Sequence, residues 1–481
     1  MRAPYPRGMS GAGAPAALSH NPGVRIASDL RAELAARGSF PPGETSFSAT
    51  RTHRIANDPL PILLSAYERY GPVFSVRVLH GLQVFVLGPE ANHFVTVSGA
   101  HNFVWREGGL SELEPLLGDG LLTIDGAYHR RARLAMLPAF HREQVAGQVH
   151  TMVEETEAAL AAWRPGEVID VYAWARRLAM RIAMRALLGL DPDDGDTGAT
   201  AAREFERALH FYGTEYPLRV LRGPGSPWWR MHRARGVLDA IVLGEIARRR
   251  RGAGGEGGDV LSMLLAAADE NGEPLSDREV RDQAVTLLFA GHDTSTSTIS
   301  FLLYEMARHP AELRRLLTEQ DEVLGGRSPG ASDLTGAMPR LEMVLDEVLR
   351  LYPPAWIGPR RAIRDFELHG VGVPGGAYVN YCSWASHRLP DVFPDPEAFE
   401  PERFTAERMA ALPKGAYVPF GGGSRTCIGM RFGQMEVKAV ATLILRRFGL
   451  ELLPGRTMSV RQMPTLSPRG GLRMMVRGRA A

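Results

Sequence analysis

A glycine-rich loop around one cysteine constrains this chain more than any other stretch of its sequence. Residues 420–429 read Phe-Gly-Gly-Gly-Ser-Arg-Thr-Cys-Ile-Gly, and Cys427 is one of only two cysteines among 481 residues. A thiolate is a strong ligand for soft metals, and both the nearby Arg425 and the helical pattern that follows favour its ionised form. The glycines allow the backbone to approach a flat partner closely. The loop therefore predicts a metal held in a planar cofactor, with Cys427 beneath it.

Taken alone, Cys427 has a simpler interpretation, because a lone cysteine is most often a small buried hydrophobe and a glycine run is most often a turn. The spacing of its neighbours favours the metal ligand, since five such fixed positions arise by chance in roughly one chain in ten thousand. Those positions are Phe420, Gly423, Arg425, Cys427 and Gly429. Together they resemble the heme-binding loop of the cytochrome P-450 superfamily, F-x-x-G-x-R-x-C-x-G. The resemblance implies heme b, with Cys427 as the ligand of its iron.

The bulk composition excludes several other classes of protein. The formal net charge is only +2, so the overall electrostatics predict binding neither to nucleic acid nor to an anionic membrane. Two cysteines argue against a disulfide-built fold and favour a reducing cytoplasm. The chain has neither a run of about 18 apolar residues nor an apolar N-terminal segment, so we expect no transmembrane anchor and no signal peptide. Within the superfamily these features indicate a soluble, bacterial, cytoplasmic member, expected to be a monomer.

The fold expected from the hydrophobic pattern and the resemblance is mainly α with a small β-rich lobe. Residues 1–40 are rich in Gly, Ala, Pro and Arg, and we expect them to form a flexible N-terminal segment. Residues 41–481 are expected to form a single cytochrome P-450 domain. The β-rich lobe is expected mainly at about 59–100 and 355–385, and the α-rich lobe in the remainder.

Local patterns place the main elements of this fold. Two β-prone runs flank His80-Gly81 and predict a hairpin that turns there. Residues 99–123 show no clear period and predict a long loop. The longest helix is expected at 276–309, and a further helix at 430–447 directly follows the cysteine loop. The resemblance implies that the heme lies between these two helices.

The middle of the longest helix carries the second functional pattern. The helix begins at a capping box formed by Ser276 and Glu279. Residues 290–298 combine glycine with a run of hydroxyl residues that compete for backbone carbonyls, so we expect a local opening there. A plain polar helix face is the simpler interpretation. The segment also resembles the superfamily's oxygen-activation motif, which implies that Asp293 and Thr294 are a catalytic acid–alcohol pair.

Basic residues from three segments are candidates for the edge of the cofactor. His129 and Arg133 are four residues apart, so they share one face of a predicted helix. A solvated basic face is an equally good interpretation of that spacing. The resemblance implies that both bind heme propionates together with Arg425, through charge-assisted hydrogen bonds to carboxylates. Arg360 matches a further propionate-binding position, and Arg361 is the competing choice.

A second cluster of charges has a structural role by resemblance. Glu347 and Arg350 are neighbours on one helix and would be an ordinary surface ion pair when taken alone. They match the E-x-x-R motif of the superfamily, and Arg403 supplies the matching second arginine. The resemblance implies a buried triad that shapes the protein below the heme. Breaking a buried ion pair costs about 3–5 kcal/mol, because a charge is left without a partner.

The resemblance implies a heme-thiolate monooxygenase that inserts one oxygen atom of O2 into a lipophilic small molecule. Hydroxylation or epoxidation is expected, with electrons from a separate ferredoxin or flavodoxin and its NAD(P)H reductase. Three alternatives remain: a peroxygenase, another heme-thiolate enzyme such as a dehydratase, and a non-catalytic heme sensor. The intact acid–alcohol pair argues against the first two. The residues expected to line the substrate pocket are Phe103, Trp105, Phe289, Ala290, Trp356 and Leu466.

Overall fold

The computed structural model describes most of the chain, in several stretches. These are residues 19–36, 40–193, 195–252, 258–269, 272–455 and 457–479. The first part of the predicted flexible segment, residues 1–18, lies outside them.

Most of the described chain is helical. The helices before the long central helix are α1 (Pro22–Ala35), α2 (Ala49–Asn57), α3 (Leu60–Tyr70), α4 (Pro89–His93), α5 (Glu114–Leu117), α6 (Gly126–Met136), α7 (Arg142–Leu160), α8 (Val171–Ala183), α9 (Gly195–His210), α10 (Tyr216–Arg219), α11 (Pro227–Arg250) and α12 (Val260–Ala266). The central helix and those after it are α13 (Asp277–Arg308), α14 (Pro310–Leu324), α15 (Pro339–Leu351), α16 (Ser383–Ser386), α17 (Ala406–Ala411) and α18 (Met430–Arg447). Among the helices described, none combines the length and the apolar character that a membrane span requires.

The strands form small sheets. They are β1 (Gly43–Glu44), β2 (Val73–Val78), β3 (Gly81–Val86), β4 (Phe103–Val104), β5 (Val168–Asp170), β6 (Gly358–Ala362), β7 (Phe366–Leu368), β8 (Val371–Val373), β9 (Tyr378–Tyr381), β10 (Phe448–Leu452), β11 (Val460–Arg461), β12 (Ser467–Pro468) and β13 (Arg473–Gly478). The largest sheet has the order β1-β2-β3-β9-β6-β4, and β10-β13-β5 form a second one. Two-stranded ribbons are formed by β11 with β12 and by β7 with β8. The predicted mainly α architecture with a small β-rich part is confirmed.

The structure differs from two local predictions in the β-rich part. The hairpin turns at Leu79 and His80, because Gly81 already pairs with Val78 in the ladder of β2 and β3. Leu79 accordingly takes a left-handed conformation with a φ of 52°. Residues 99–123, expected as a loop, contain β4, α5 and two short 3-10 turns. Hydrogen bonds to neighbouring elements hold this segment in place. Such bonds need no periodic spacing of residues, so the sequence shows no helical or strand pattern there.

The helix α1 lies within the N-terminal segment that was predicted to be flexible. The side chain of Asn21 caps the helix by accepting from two backbone N–H groups of its first turn. Asp29 accepts a hydrogen bond from the Tyr378 hydroxyl at 2.9 Å and pairs with Arg361 at 3.3 Å. No residue of α1 is fully buried. The helix is therefore attached to the sheet by polar contacts, which composition alone does not reveal.

The long helix α13 begins as predicted. The Ser276 hydroxyl accepts from the backbone N–H of Glu279, and the Glu279 carboxylate accepts from the backbone N–H of Ser276. The helix contains 32 residues, which corresponds to about 48 Å at ~1.5 Å per residue. Between Val280 and Leu303 it is buried almost throughout. A buried helix of this length gives the rest of the chain a common packing partner.

The expected opening in the middle of α13 is absent, because the helix runs without interruption through residues 290–298. The hydroxyls there do bond to carbonyls one turn earlier: Thr294 donates to Ala290 at 2.7 Å and Thr298 donates to Thr294 at 2.9 Å. These bonds add a second donor to carbonyls that already accept in the helix, instead of displacing the backbone N–H groups. The hydroxyl groups of this run therefore find their hydrogen-bond acceptors within the helix, and the helix stays regular.

The charged triad lies in the core and supports the cysteine loop. Arg350 donates two hydrogen bonds to the Glu347 carboxylate at 2.7 and 2.8 Å, and both side chains are fully buried. Arg403 lies 3.5 Å from the same carboxylate. Arg350 also donates to the backbone carbonyl of His387 at 3.0 Å, and the His387 ring accepts from the backbone N–H of Val418 at 3.0 Å. The triad is thus linked through one histidine to the segment that leads into the cysteine loop.

Candidate active site

The cysteine loop is closed by its own backbone. The N–H of Cys427 donates to the carbonyl of Phe420 at 3.0 Å, which draws the two ends of the loop together. Gly423 has a φ of +63°, and a Cβ at that position would lie 2.3 Å from the carbonyl oxygen of Thr96. Glycine is therefore required there by close packing against a neighbouring turn of the protein. Gly429, which follows Cys427 by two residues, is the N-cap of α18.

The environment of Cys427 differs from that of the second cysteine. Burial raises the pKa of the Cys427 thiol, while the backbone N–H of Gly429 and the Arg133 guanidinium act in the opposite direction. Its side chain is nonetheless accessible, whereas Cys382 is completely enclosed. Burial raises the pKa of Cys382 to about 12, and its sulfur accepts from the backbone N–H of Ala385. Cys382 is therefore an inert core residue, and Cys427 is the thiol open to a ligand.

The basic residues predicted for the cofactor edge surround the loop. Arg133 donates to the backbone carbonyl of Thr426 at 2.7 Å, directly beside Cys427. Arg425 turns away from the thiol and pairs with Asp125 at 2.6 Å. The cation near Cys427 is therefore Arg133, whereas Arg425, which is closer in sequence, pairs with Asp125.

Burial and the mutual repulsion of their positive charges lower the pKa values of these basic groups. Burial, Arg425 and Arg133 lower the pKa of His129 to about 3. Burial lowers the pKa of Arg425 to about 10 despite its contact with Asp125, and Arg360 and Arg133 act in the same direction. Asp125 is the one carboxylate that forms an ion pair within this group among the described residues. The group therefore carries more buried positive charge than the protein balances.

Trp105 lies between two of these arginines and was not predicted there. The Arg360 guanidinium lies 4.0 Å from the centre of a Trp105 ring, and the Arg425 guanidinium lies 4.6 Å from it. The backbone N–H of Trp105 donates to Asp125 at 2.9 Å. The indole thus separates two like charges through cation–π contacts. Trp105 was predicted for the substrate pocket, and the structure places it within the basic group.

The position of Arg361 separates it from Arg360. Successive side chains of a strand point to opposite faces. On β6, Arg360 faces Trp105 and Tyr381, whereas Arg361 stacks on Tyr378 at 4.1 Å and pairs with Asp29 of α1. Arg360 is therefore the member of the pair that joins the basic group around the cysteine loop.

The middle of α13 is only half-buried at one place. Between Val280 and Leu303, the residues that are only half-buried are Phe289, Ala290, Gly291 and Thr294. Ala290 and Gly291 lie about one turn before Thr294, so these three residues share one side of the helix, and Phe289 lies beside it. Three of the four are apolar or small, and Thr294 supplies the hydroxyl. This side of α13 can therefore receive a small molecule beside a single polar group.

Asp293 lies on another side of the helix, in a network of charges. Its carboxylate pairs with Arg176 at 2.6 Å, and Arg176 also pairs with Glu206 at 2.8 Å. The ring of His292 lies 3.2 Å from Glu206 and 3.5 Å from Asp293. Asp293 is buried, and one of its two oxygens has no hydrogen-bond partner in the described part of the chain. The network connects a buried acid to Glu206, which is 37% exposed.

A buried glutamate joins α13 to the helix that follows Cys427. Ser295 donates to the carboxyl group of Glu436 at 2.5 Å, and Glu436 is 1% exposed. Burial raises the pKa of Glu436 to about 8, against a smaller opposite effect of Ser295. The contact fixes the residue next to Thr294 against α18. The acid–alcohol pair and Cys427 thus lie on two elements that pack against each other.

Three residues expected to line the substrate pocket are buried and pack within the core. Phe103 lies in β4 and packs against Phe366 at 5.2 Å in the core of the β-rich part. The indole N–H of Trp356 donates to the carbonyl of Gln462 at 2.9 Å, and the side chain is buried. Leu466 is fully buried. Each of these positions was chosen for its apolar side chain, which is equally suited to a core.

Three residues of this region were missed in the sequence. Asp125 joins Arg425 to the backbone around Trp105, Arg176 holds Asp293, and Glu436 holds Ser295. An acid just before a basic helix was a weak signal for Asp125. Arg176 and Glu436 carry no local signal, because their partners lie 117 and 141 residues away in sequence.

Comparisons with known proteins identify the family. The family model for Cytochrome P450 matches residues 51–473. Two proteins of Streptomyces melanosporofaciens are similar: Cyclooctat-9-en-7-ol 5-monooxygenase is 37% identical over 82% of this chain and 86% of its own, and Cyclooctatin synthase is 36% identical over 88% and 92%. The solved structure of a retinoic acid-bound cyanobacterial P450, CYP120A1, superposes with a TM-score of 0.82 at 30% identity and covers 92% of this chain and 99% of its own.

The chain therefore belongs to the cytochrome P450 family and has its fold. It is an oxidoreductase of the monooxygenase class that uses molecular oxygen, and the family implies a heme-thiolate cofactor. The sequence-based predictions of the family, the fold class and the enzyme class are confirmed.

The raised pKa of Glu436 predicts a pH effect on folding. Because this pKa is about 8 in the folded state and 4.5 in an ordinary glutamate, the folded protein binds an extra proton between these pH values. Stability is then expected to fall as the pH rises through this window, by up to about 1.4 kcal/mol per pH unit. Glu436→Gln removes the titration and keeps a polar partner for Ser295, so it should flatten this slope in equilibrium urea unfolding.

The matched control is Glu407→Gln, which changes an exposed glutamate on α17. This control should keep the slope of the natural protein. Equal slopes for the natural protein and Glu436→Gln would contradict a neutral, buried Glu436.

Proposed function

We propose that this protein is a heme-thiolate monooxygenase in which Cys427 ligates the iron of heme b. The observation that carries the proposal is the excess of buried positive charge around an accessible thiol. Heme b has two propionate groups, so its edge supplies the negative charge that the basic group lacks. A thiolate ligand pushes electron density toward the iron, which favours O–O bond cleavage in this family.

His129, Arg133, Arg360 and Arg425 are proposed to hold the propionates. Arg360 is buried, pairs with no carboxylate in the described residues, and has its pKa lowered by that burial. A propionate would supply the missing carboxylate partner and stabilise the charged form of Arg360, because charge-assisted hydrogen bonds are strongest where water is excluded. Arg133 is proposed to act twice, since its position beside Thr426 also favours the thiolate form of Cys427.

Thr294 and Asp293 are proposed to supply protons and a hydrogen bond on the opposite side of the cofactor. Thr294 lies on the half-buried side of α13. Its hydroxyl now donates to the carbonyl of Ala290, and rotation about χ1 would redirect it toward a bound molecule. Asp293 is proposed to pass protons toward Thr294 from the network that reaches Glu206. The triad of Glu347, Arg350 and Arg403 is proposed to act only on stability.

The substrate is proposed to be a lipophilic small molecule, hydroxylated or epoxidised at the expense of one atom of O2. Ala290 supplies half-buried apolar surface one turn before Thr294, and Phe289 adjoins it, which supports this class. The compounds named for the relatives, cyclooctat-9-en-7-ol and retinoic acid, are also lipophilic.

Electrons are proposed to come from a separate ferredoxin or flavodoxin with its NAD(P)H reductase. Arg130 and Arg431 are exposed on α6 and α18, the two helices beside the cysteine loop. A basic surface there suits weak, electrostatically steered docking of an acidic carrier. A cytoplasmic location is part of the proposal and rests on the two unpaired cysteines.

Replacement of the thiol tests the ligand directly. Cys427→Ala is expected to abolish the red-shifted Soret band of the reduced CO complex, because that band requires a thiolate on the iron. Cys382→Ala removes the other cysteine from the core and should retain the band. An unchanged absorption spectrum in Cys427→Ala would overturn the assignment.

Replacement of the alcohol tests proton delivery. In Thr294→Ala we expect several times more of the electrons from NADPH to appear as hydrogen peroxide, because the hydroxyl that directs the protons is lost. The ratio of peroxide to NADPH, measured with generic redox partners, reports this. Thr296→Ala removes a buried hydroxyl that donates to His292 on the same helix and is the control. Peroxide at the level of the natural protein in Thr294→Ala would contradict the role of Thr294.

A further inference from the structure

A cleft of about 210 Å³ lies between α1, the hairpin of β2 and β3, and the segment that leads into α11. It is distinct in its lining residues from the cysteine loop and from the half-buried side of α13. Its apolar lining includes Ile26, Val78, Phe211 and Trp228. This volume is below the ~300–1,000 Å³ of pockets that enclose whole ligands. The cleft is therefore large enough for one end of a ligand.

Trp228 forms the aromatic wall of this cleft. Its ring lies 5.7 Å from that of Phe211 and 6.0 Å from that of His20, measured between ring centres. The guanidinium of Arg222 lies 4.0 Å from the centre of the Trp228 ring. An apolar chain can pack against this wall, while the arginine keeps the rim polar.

Arg25 of α1 supplies the cation that faces the cleft. A guanidinium has five N–H donors. The Arg25 side chain is half-buried and donates one of them to the Ser111 hydroxyl at 2.9 Å. Within the stretches that the structure describes, it forms no ion pair with a carboxylate. Most of its donors thus remain for a ligand, and a carboxylate is the group that matches two of them at once.

The two carboxylates in the lining do not compete for Arg25, because each has its own partners. Asp29 accepts from the Tyr378 hydroxyl at 2.9 Å and pairs with Arg361 at 3.3 Å and with His80 at 3.4 Å. Glu112 pairs with Arg219 at 3.1 Å. Neither needs Arg25 for neutralisation, so the guanidinium retains its attraction for an anion.

We propose that this cleft binds the carboxylate end of a lipophilic carboxylic acid, with Arg25 on the carboxylate and Trp228 against the adjoining chain. The proposal rests on the proposed function, since it narrows the substrate of the monooxygenase to an acid. Recognition by Arg25 then discriminates against the corresponding ester, which has the same chain and no charge.

The test compares lauric acid with methyl laurate in isothermal titration calorimetry on the heme-loaded protein. Arg25→Gln should weaken the binding of lauric acid by about tenfold to a hundredfold, as expected for loss of a charge-assisted contact. It should leave the binding of methyl laurate unchanged. The control is Arg31→Gln, which removes an exposed arginine on the same helix outside the cleft and should change neither affinity.

Two results would overturn this proposal. One is an unchanged affinity of Arg25→Gln for lauric acid, and the other is an equal loss for the acid and the ester, which would indicate a packing role. Propionic acid in excess should fail to displace lauric acid, and displacement would show that the cleft selects any small anion. The reduced CO spectrum of the same samples keeps the two proposals apart. Loss of the thiolate band in the natural protein contradicts the monooxygenase, whereas the calorimetric results bear only on the cleft.

Discussion

The buried positive charge around Cys427 is the constraint on which the rest of the site depends. Helix α6 brings Arg133, strand β6 brings Arg360, and the cysteine loop brings Arg425, yet only Asp125 forms an ion pair with them in the described chain. Burying charge without a partner is costly. This unfavourable free energy arises where three separate elements bring their arginines close to one accessible thiol. We propose that the anionic edge of a cofactor offsets it.

The second constraint is the way in which α13 carries polar groups through the core. The hydroxyls of its middle bond back to its own carbonyls, so the helix stays regular while Thr294 remains at its half-buried side. Ser295 is turned to Glu436 on α18, and Asp293 is turned to Arg176 on α8. Neighbouring residues on one helix therefore face different partners. This arrangement separates the proposed proton supply, the helix–helix contact and the proposed substrate surface within one turn.

The sequence predicts best the features that short, fixed spacings encode. The bounds of α18, the capping box of α13 and the closeness of Glu347 to Arg350 follow from local patterns that tertiary packing leaves unchanged. Features that depend on partners far away in sequence could not be predicted, and the contacts of Arg176 and Glu436 are examples. The predicted pocket positions Phe103, Trp356 and Leu466 are buried in the core, and the sequence could not separate these two environments, because an apolar side chain fits a core and a pocket equally well.

The choice between Arg360 and Arg361 shows the same limit at a single strand. Both residues are arginines on β6, and only the direction of each side chain across the sheet decides which joins the cysteine loop. The helix α1, which occupies Arg361, could not be expected from the composition of the N-terminal segment.

The central claim is that Cys427 places sulfur on the iron of a bound heme. X-ray absorption at the iron edge of the purified protein tests it most directly, because the fine structure distinguishes sulfur from nitrogen and oxygen in the first coordination shell. The account predicts one sulfur neighbour alongside the porphyrin nitrogens. A first shell of nitrogen and oxygen alone would contradict it.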